Sequence, residues 1–221
     1  GVIGVFGGLL LMIAHLLFIF SLYKTTIANT LYTLSSIPFK TLILSFIFLK
    51  ERIGFRTFIL MISAFFGIYL MVNDSLNNNG IMGSIFALGC AICFSCFIII
   101  VRKCNSIDML PTSLLAGISL SIVTFIISFG NIVIPTNEIL LCLFWGEFLH
   151  GLMNIVFIFS TRYFFASEVT LFMLIEFCLG PFWVWIFFDK AIANKTLFGG
   201  LIVLLSVTIF SFLEIVEKKI K

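Results

Sequence analysis

At 221 residues, 62% hydrophobic and only 10% charged, the chain departs from a soluble globular domain, which carries about 25% charged residues. Twenty-nine phenylalanines would leave more apolar surface than water tolerates, so an integral membrane protein is expected. The net charge of +3 is too small to suggest a nucleic-acid partner, and most basic residues sit in short clusters between apolar runs.

A membrane-spanning helix needs about 20 mostly apolar residues. Eight stretches qualify: residues 2–23, 26–49, 56–73, 80–101, 110–130, 138–161, 167–188 and 196–214. The expected fold class is therefore an all-α polytopic membrane protein with eight helices, joined by short connectors that leave no room for a soluble domain. The first span carries His15, which suits a hydrogen-bonded core position as well as a pathway. In the second, Asn29, Thr33, Ser36 and Lys40 step by four, three and four and so share one helix face, with Tyr32 beside them. A lysine at the centre of a membrane helix costs about 2.5–3.5 kcal/mol, so this face belongs against a cavity or a partner rather than lipid. Pro38 lies in the same span and weakens it.

The fourth span holds Cys90, Cys93 and Cys96. With Cys142 and Cys178 inside other apolar runs, these cysteines read as small buried helix residues, not as bridges or cluster ligands. In the fifth, Ser113, Gly117, Ser121, Thr124 and Ser128 form a narrow stripe suited to close packing. The sixth presents Glu147, His150 and Asn154 at steps of three and four, with Trp145 nearby. The seventh carries Glu176 near its centre, then Gly180-Pro181 and the indoles of Trp183 and Trp185. If Lys40, Glu147, His150, Asn154 and Glu176 converge, they make a central polar cavity in which Glu176 or Glu147 neutralises Lys40. The candidate substrate-binding residues are thus His15, Asn29, Tyr32, Ser36, Lys40, Trp145, Glu147, His150, Asn154, Glu176 and Trp183.

The chain also repeats itself. Phe18-Ile19-Phe20-Ser21 recurs as Phe157-Ile158-Phe159-Ser160, an offset of 139 at which Gly7 meets Gly146, His15 meets Asn154 and Lys50-Glu51 meets Asp189-Lys190. The first three spans then correspond to the last three, with opposite orientation because each lies an odd number of spans, five, from its counterpart. Inverted repeats are a feature of transporters, whose sites lie near the midplane between the copies. Residues 1–75 would hold the last three helices of one repeat and residues 80–215 a complete second one, within a single membrane domain. Two further helices are expected ahead of Gly1, giving ten in all. Orientation follows from nine basic residues at one end (Lys50, Arg52, Arg56, Arg102, Lys103, Arg162, Lys218, Lys219 and Lys221) against Lys24, Lys190 and Lys195 at the other. The richer end, with the carboxy terminus, is expected in the cytoplasm.

Enzymatic readings find little support. Glu147-x-x-His150 has the spacing of half a di-iron site without a second copy, and no His-Glu-x-x-His, Gly-x-Ser-x-Gly or phosphate-cradling glycine loop is present. No catalytic residue, metal or cofactor is expected.

Ala28-Asn29-Thr30 through Ser35-Ser36-Ile37-Pro38 to Phe48-Leu49-Lys50-Glu51-Arg52-Ile53 resembles the fourth helix and following turn of EamA-type members of the drug/metabolite transporter superfamily, where a small-residue helix with a central proline ends in a Gly-Glu-Arg-like turn. Glu176 through Gly180-Pro181-Phe182-Trp183-Val184-Trp185 is similar to the matching helix of the second repeat, which Gly83-Ser84, Ala87-Leu88 and Asp108-Met109-Leu110-Pro111 would open. Lys190 departs from the usual acidic turn residue there. The resemblance implies a ten-helix inverted-repeat carrier of the cytoplasmic (inner) membrane with cytoplasmic termini and a central cavity. Its partners would be a small amino-acid-like or nucleotide-like solute and the lipid bilayer. Glu147, His150 and Glu176 are placed to couple transport to protons, and the oligomeric state is left open. The leading expectation is a secondary transporter working by alternating access. The alternative is a non-transporting membrane scaffold or a truncated, decayed relative.

Overall fold

The computed structural model describes residues 2–51, 54–73, 80–104, 108–128, 135, 138–140, 143–176, 179, 186 and 194–220. Every regular element among them is helical. Helices α1 (Val2–Lys24), α4 (Phe55–Val72), α5 (Ile81–Lys103) and α6 (Leu110–Ile127) follow the apolar runs. So does α9 (Asn194–Ile220).

Three predicted spans are less regular than their sequences suggest. The second breaks into α2 (Ile27–Leu34) and α3 (Ile37–Phe48). The sixth opens as a π-helical segment, Leu143–His150, and continues as α7 (Gly151–Ser160). The seventh starts as α8 (Ala166–Phe172), turns at Met173 and resumes for residues 174–176. Its Gly180-Pro181 pair lies outside the described residues.

Five described stretches have the length and composition to cross a bilayer: α1, α2 with α3, α5, α6 and Asn194–Leu213 of α9. The apolar stretches Phe55–Met71 and Gly151–Ser160 are shorter. The chain is thus a polytopic helical membrane protein. Its outer faces carry many large apolar side chains, as Phe46, Phe66, Phe125, Phe148 and Phe212 illustrate, and hydrocarbon tolerates such faces where water would not.

The buried residues form two clusters. One joins α1, α5, α6 and α7 through residues such as Leu11, Ala14, Ala91, Phe97, Ile98, Ala116 and Ile158. The other joins α4, α8 and α9 through Met61, Ala64, Ile68, Leu171, Val203, Val207 and Phe210. The discontinuous helix belongs to both. Leu34, Ile37 and Leu44 face the first cluster, while Tyr32, Phe39 and Leu42 face the second.

Lipid tails are as apolar as leucine, so close backbone approach and polar links hold such helices together. α4 and α9 cross at Gly67 and Gly199, where a Cβ on Gly67 would meet the Gly199 carbonyl oxygen at 2.7 Å. Near this crossing the hydroxyls of Ser63 and Ser206 lie 3.0 Å apart. At one end of the bundle Thr25 packs onto the start of α5, and a Cβ on Gly83 would sit 2.5 Å from the Thr25 Cβ. At the other end α3 closes through Lys50, whose φ of 56° is left-handed, and Glu51 donates its N–H to the Ser45 carbonyl over 3.4 Å.

Two outcomes test this packing. Gly199→Val should cost at least about 2 kcal/mol by overpacking against the α4 backbone, whereas Gly117→Ala, which meets nothing within 4 Å, should leave thermal stability in detergent unchanged or higher. Lys50→Gly should raise stability by up to about 1 kcal/mol by releasing left-handed strain, and Lys50→Val should lower it; thermal unfolding of the purified variants checks both signs.

Candidate functional site

The discontinuous helix carries the site, and its break has a local cause. Pro38 has no N–H to offer the Leu34 carbonyl, so the α-helical pattern cannot run through. The chain tightens instead: Ser36 N–H donates to the Thr33 carbonyl over 3.2 Å, and regular winding resumes with Lys40 N–H on the Ser36 carbonyl, also at 3.2 Å. Two carbonyls of this turn also accept from side chains. Ser35 Oγ donates to the Tyr32 carbonyl at 2.6 Å, and Ser36 Oγ donates to that of Thr33.

Across this break the stripe expected from the sequence becomes a hydrogen-bonded ladder. Asn29 Nδ2 donates to Thr25 Oγ1 at 2.9 Å, Thr33 Oγ1 to the Asn29 carbonyl at 2.8 Å, and Lys40 Nζ to Ser36 Oγ. Asn29, with 6% of its surface exposed, is buried, whereas Thr33, Ser36 and Lys40 are half-buried. Round the helix the stripe falls between the edge facing one core cluster and the edge facing the other. The ladder therefore follows the seam between the two clusters. On its α4 side stands an aromatic wall: the Tyr32 ring lies 5.2 Å from Phe65 and 5.8 Å from Tyr69, and Phe39 lies 5.5 Å from Phe65.

The expected ion pair between Lys40 and Glu176 does not form. Among the described residues Lys40 has no carboxylate within salt-bridge distance, and its ammonium is held by a hydroxyl. Glu176 is exposed at the end of its short turn. The side chain of Glu147, the other expected partner, lies outside the described residues, as do those of Trp145 and His150 and the whole of Trp183. The backbone of Leu143–His150 winds as a π-helix, whose i→i+5 bonding changes the angular step per residue. The α-helical spacing that stacked Glu147 on His150 does not hold there.

His15 is half-buried in α1, where Nδ1 lies 2.8 Å from the Leu11 carbonyl; a carbonyl only accepts, so Nδ1 carries the proton. Asn154 is half-buried in α7. The residues brought together are thus Asn29, Thr33, Ser36 and Lys40, with Tyr32 alongside.

A second polar constellation was not singled out from the sequence. Glu51, just after α3, receives the Arg102 Nε at 2.8 Å on Oε1 and the Ala166 N–H at 3.3 Å on Oε2. Arg102, at the end of α5, also donates Nη1 to the carbonyls of Thr161 (2.6 Å) and Arg162 (3.1 Å), and lies 5.9 Å from the Phe165 ring centre. The Glu51 and Arg102 side chains are only 10% and 16% exposed. The available signal was positional: the turns at Glu51, Arg102 and Arg162 fall at the same end of an alternating bundle, so their charges had to meet or be solvated.

Residues 1–73, which include α1, the discontinuous helix and α4, match the model of the EamA-like transporter family. No curated protein matches the chain. One solved crystal structure, described only as that of a protein, shares its fold with a TM-score of 0.82 at 13% identity, covering 96% of this chain and 77% of that one. At that identity the likeness is one of fold alone. Lys50, inside the matched stretch, has a left-handed φ, the conformation that glycine adopts at least cost. The match to the EamA-like transporter family covers residues 1–73 of the 221.

Proposed function

We propose that the protein is a secondary transporter that moves a small amino-acid-like or nucleotide-like metabolite across the cytoplasmic membrane by alternating access. The observation that carries this reading is the polar ladder on the seam between the two core clusters. A lysine at this depth without a carboxylate partner among the described residues is expensive, and it earns its place where an anionic group of a solute can complete it. Tyr32, Tyr69 and the neighbouring phenylalanines supply a flat wall for the apolar part of such a solute.

Transporter sites lie at the junction of two bundles, on helices whose winding is interrupted. The break at Ser35–Ser36 supplies that interruption, and a helix shared by two clusters is where relative movement of those clusters would act. The expected correspondence of the first three spans with the last three supports the same reading. The pairs α4 with α9 and α3 with α8, which an axis between inverted copies would relate, are both in contact. The end bearing Lys50, Arg56, Arg102, Lys103 and Arg162 would face the cytoplasm.

Proteoliposomes loaded with a mixed metabolite pool, read by mass spectrometry, test the proposal. Wild type should exchange at least one solute with external medium. Lys40→Ala and Ser36→Ala, checked for an unchanged melting temperature, should slow that exchange by about ten-fold or more, the loss expected for one charge-assisted contact. Folded variants that carry the solute as fast as wild type would reduce the ladder to packing, and a wild type that moves no member of an anionic, zwitterionic and nucleoside panel would favour a membrane scaffold.

A further inference from the structure

Helix α7 divides its side chains between the protein and the bilayer. Ile158 is buried in the first cluster, and the Phe157 ring lies 5.8 Å from that of Phe94 on α5. Ile155, Val156 and Phe159 point the other way and are 46%, 54% and 48% exposed. With Ser160, Tyr163 and Phe164 they line an open groove on the outside of the bundle. The groove runs about 7.5 Å along α7 from Ile155 to Ser160 and ends at the connector to α8.

The mouth of this groove is basic and aromatic. The guanidinium carbon of Arg162 lies 5.0 Å from the centre of the Phe159 ring, and the Tyr163 ring lies 6.2 Å from the same ring. Tyr163 is exposed. Among the described residues Arg162 has no carboxylate within salt-bridge distance. Its place is set through the backbone: Arg102 Nη1 donates to the carbonyls of Thr161 and Arg162, and Glu168 accepts the Phe165 N–H at 2.9 Å. The connector is therefore held firmly while the Arg162 side chain lies along the groove.

We infer that the groove binds an anionic phospholipid, with one acyl chain along Ile155, Val156 and Phe159 and the phosphate held by Arg162. Three observations select that occupant. In a chain that spans a bilayer, an apolar groove on the outside faces acyl chains, and its polar rim marks it as a binding site. A planar cation at the mouth matches a phosphate, to which it can offer two parallel N–H donors. Tyr163 sets an apolar ring beside a hydroxyl, the arrangement suited to headgroup depth. The site does not depend on the transporter reading.

Native mass spectrometry of the detergent-purified protein tests the assignment, with phosphatidylglycerol titrated against phosphatidylcholine of the same chains. In wild type the first phosphatidylglycerol should bind about five-fold more tightly than phosphatidylcholine, the ratio expected for one basic side chain at headgroup depth. Arg162→Gln should bring that ratio to about one, and Arg162→Lys, which keeps the charge without the planar stack on Phe159, should give an intermediate value. Val156→Trp, which fills the groove, should weaken both lipids. Arg102 bonds the Arg162 carbonyl rather than its side chain, so the Arg162 variants should melt with wild type. A phosphatidylglycerol carrying a photoreactive group in its chain should label residues 155–164. Equal affinities in wild type, an undiminished ratio in folded Arg162→Gln, or labelling confined to other segments overturns the site. So does an equal loss in Arg56→Gln, an exposed position at the same end on α4, because the preference would then come from diffuse surface charge. Glycerol phosphate, a headgroup without chains, should not compete; displacement by it would make this a site for a soluble phosphate and overturn the lipid assignment.

Discussion

In hydrocarbon no water stands by to receive a stray carbonyl, so every break in a helix must be satisfied by the chain itself. That requirement is concentrated at residues 32–40. Pro38 removes a donor, and Ser35, Ser36 and Thr33 supply hydroxyls on the turn that precedes it. Ser36, one of the hydroxyls on that turn, also receives Lys40 Nζ at the end of the ladder.

The same segment divides the molecule. Because its two apolar edges pack into different clusters, α2 and α3 are held from both sides while their polar face is left on the seam. The clusters are built differently. The first relies on long apolar contact between α1, α5 and α6, where Thr41 and Ser95 add a hydroxyl link of 3.1 Å from α3. The second relies on the glycine crossing of α4 and α9 and on edge-to-face rings such as Phe172 and Phe210, 5.5 Å apart. The two clusters share α8, whose Ala166 lies in the first and Leu171 in the second, and the discontinuous helix. The match of residues 1–73 to the EamA-like transporter family includes that shared helix and the turn bearing Glu51.

Legibility in the sequence followed the range of the interaction. The apolar runs located α1, α4, α5, α6 and α9 because partition into lipid depends on local composition. Steps of four, three and four at Asn29, Thr33, Ser36 and Lys40 placed them on one face, and the tight turn at Ser36 preserved it. The same reasoning did not carry over to Glu147 and His150, because π-winding is a small change in helical step that no residue type announces. Nor did it give Lys40 its partner. Glu176 lies at a suitable depth by counting, but the turn at Met173 interrupts the helix that the count assumed.

Glu51 and Arg102 are separated by fifty residues of chain, and no local period connects them. The sequence by itself determined that this is a helical membrane protein, which end of it is basic, and that one helix carries a polar face with a lysine, since each depends on transfer energies and on periodicity within a single segment. Only the tertiary structure decided that this face lies between the edges packed on the two clusters and that Glu51 meets Arg102. Those outcomes depend on which helices pack side by side, and backbone approach at Gly67, Gly83 and Gly199 settles that over distances no segment encodes alone.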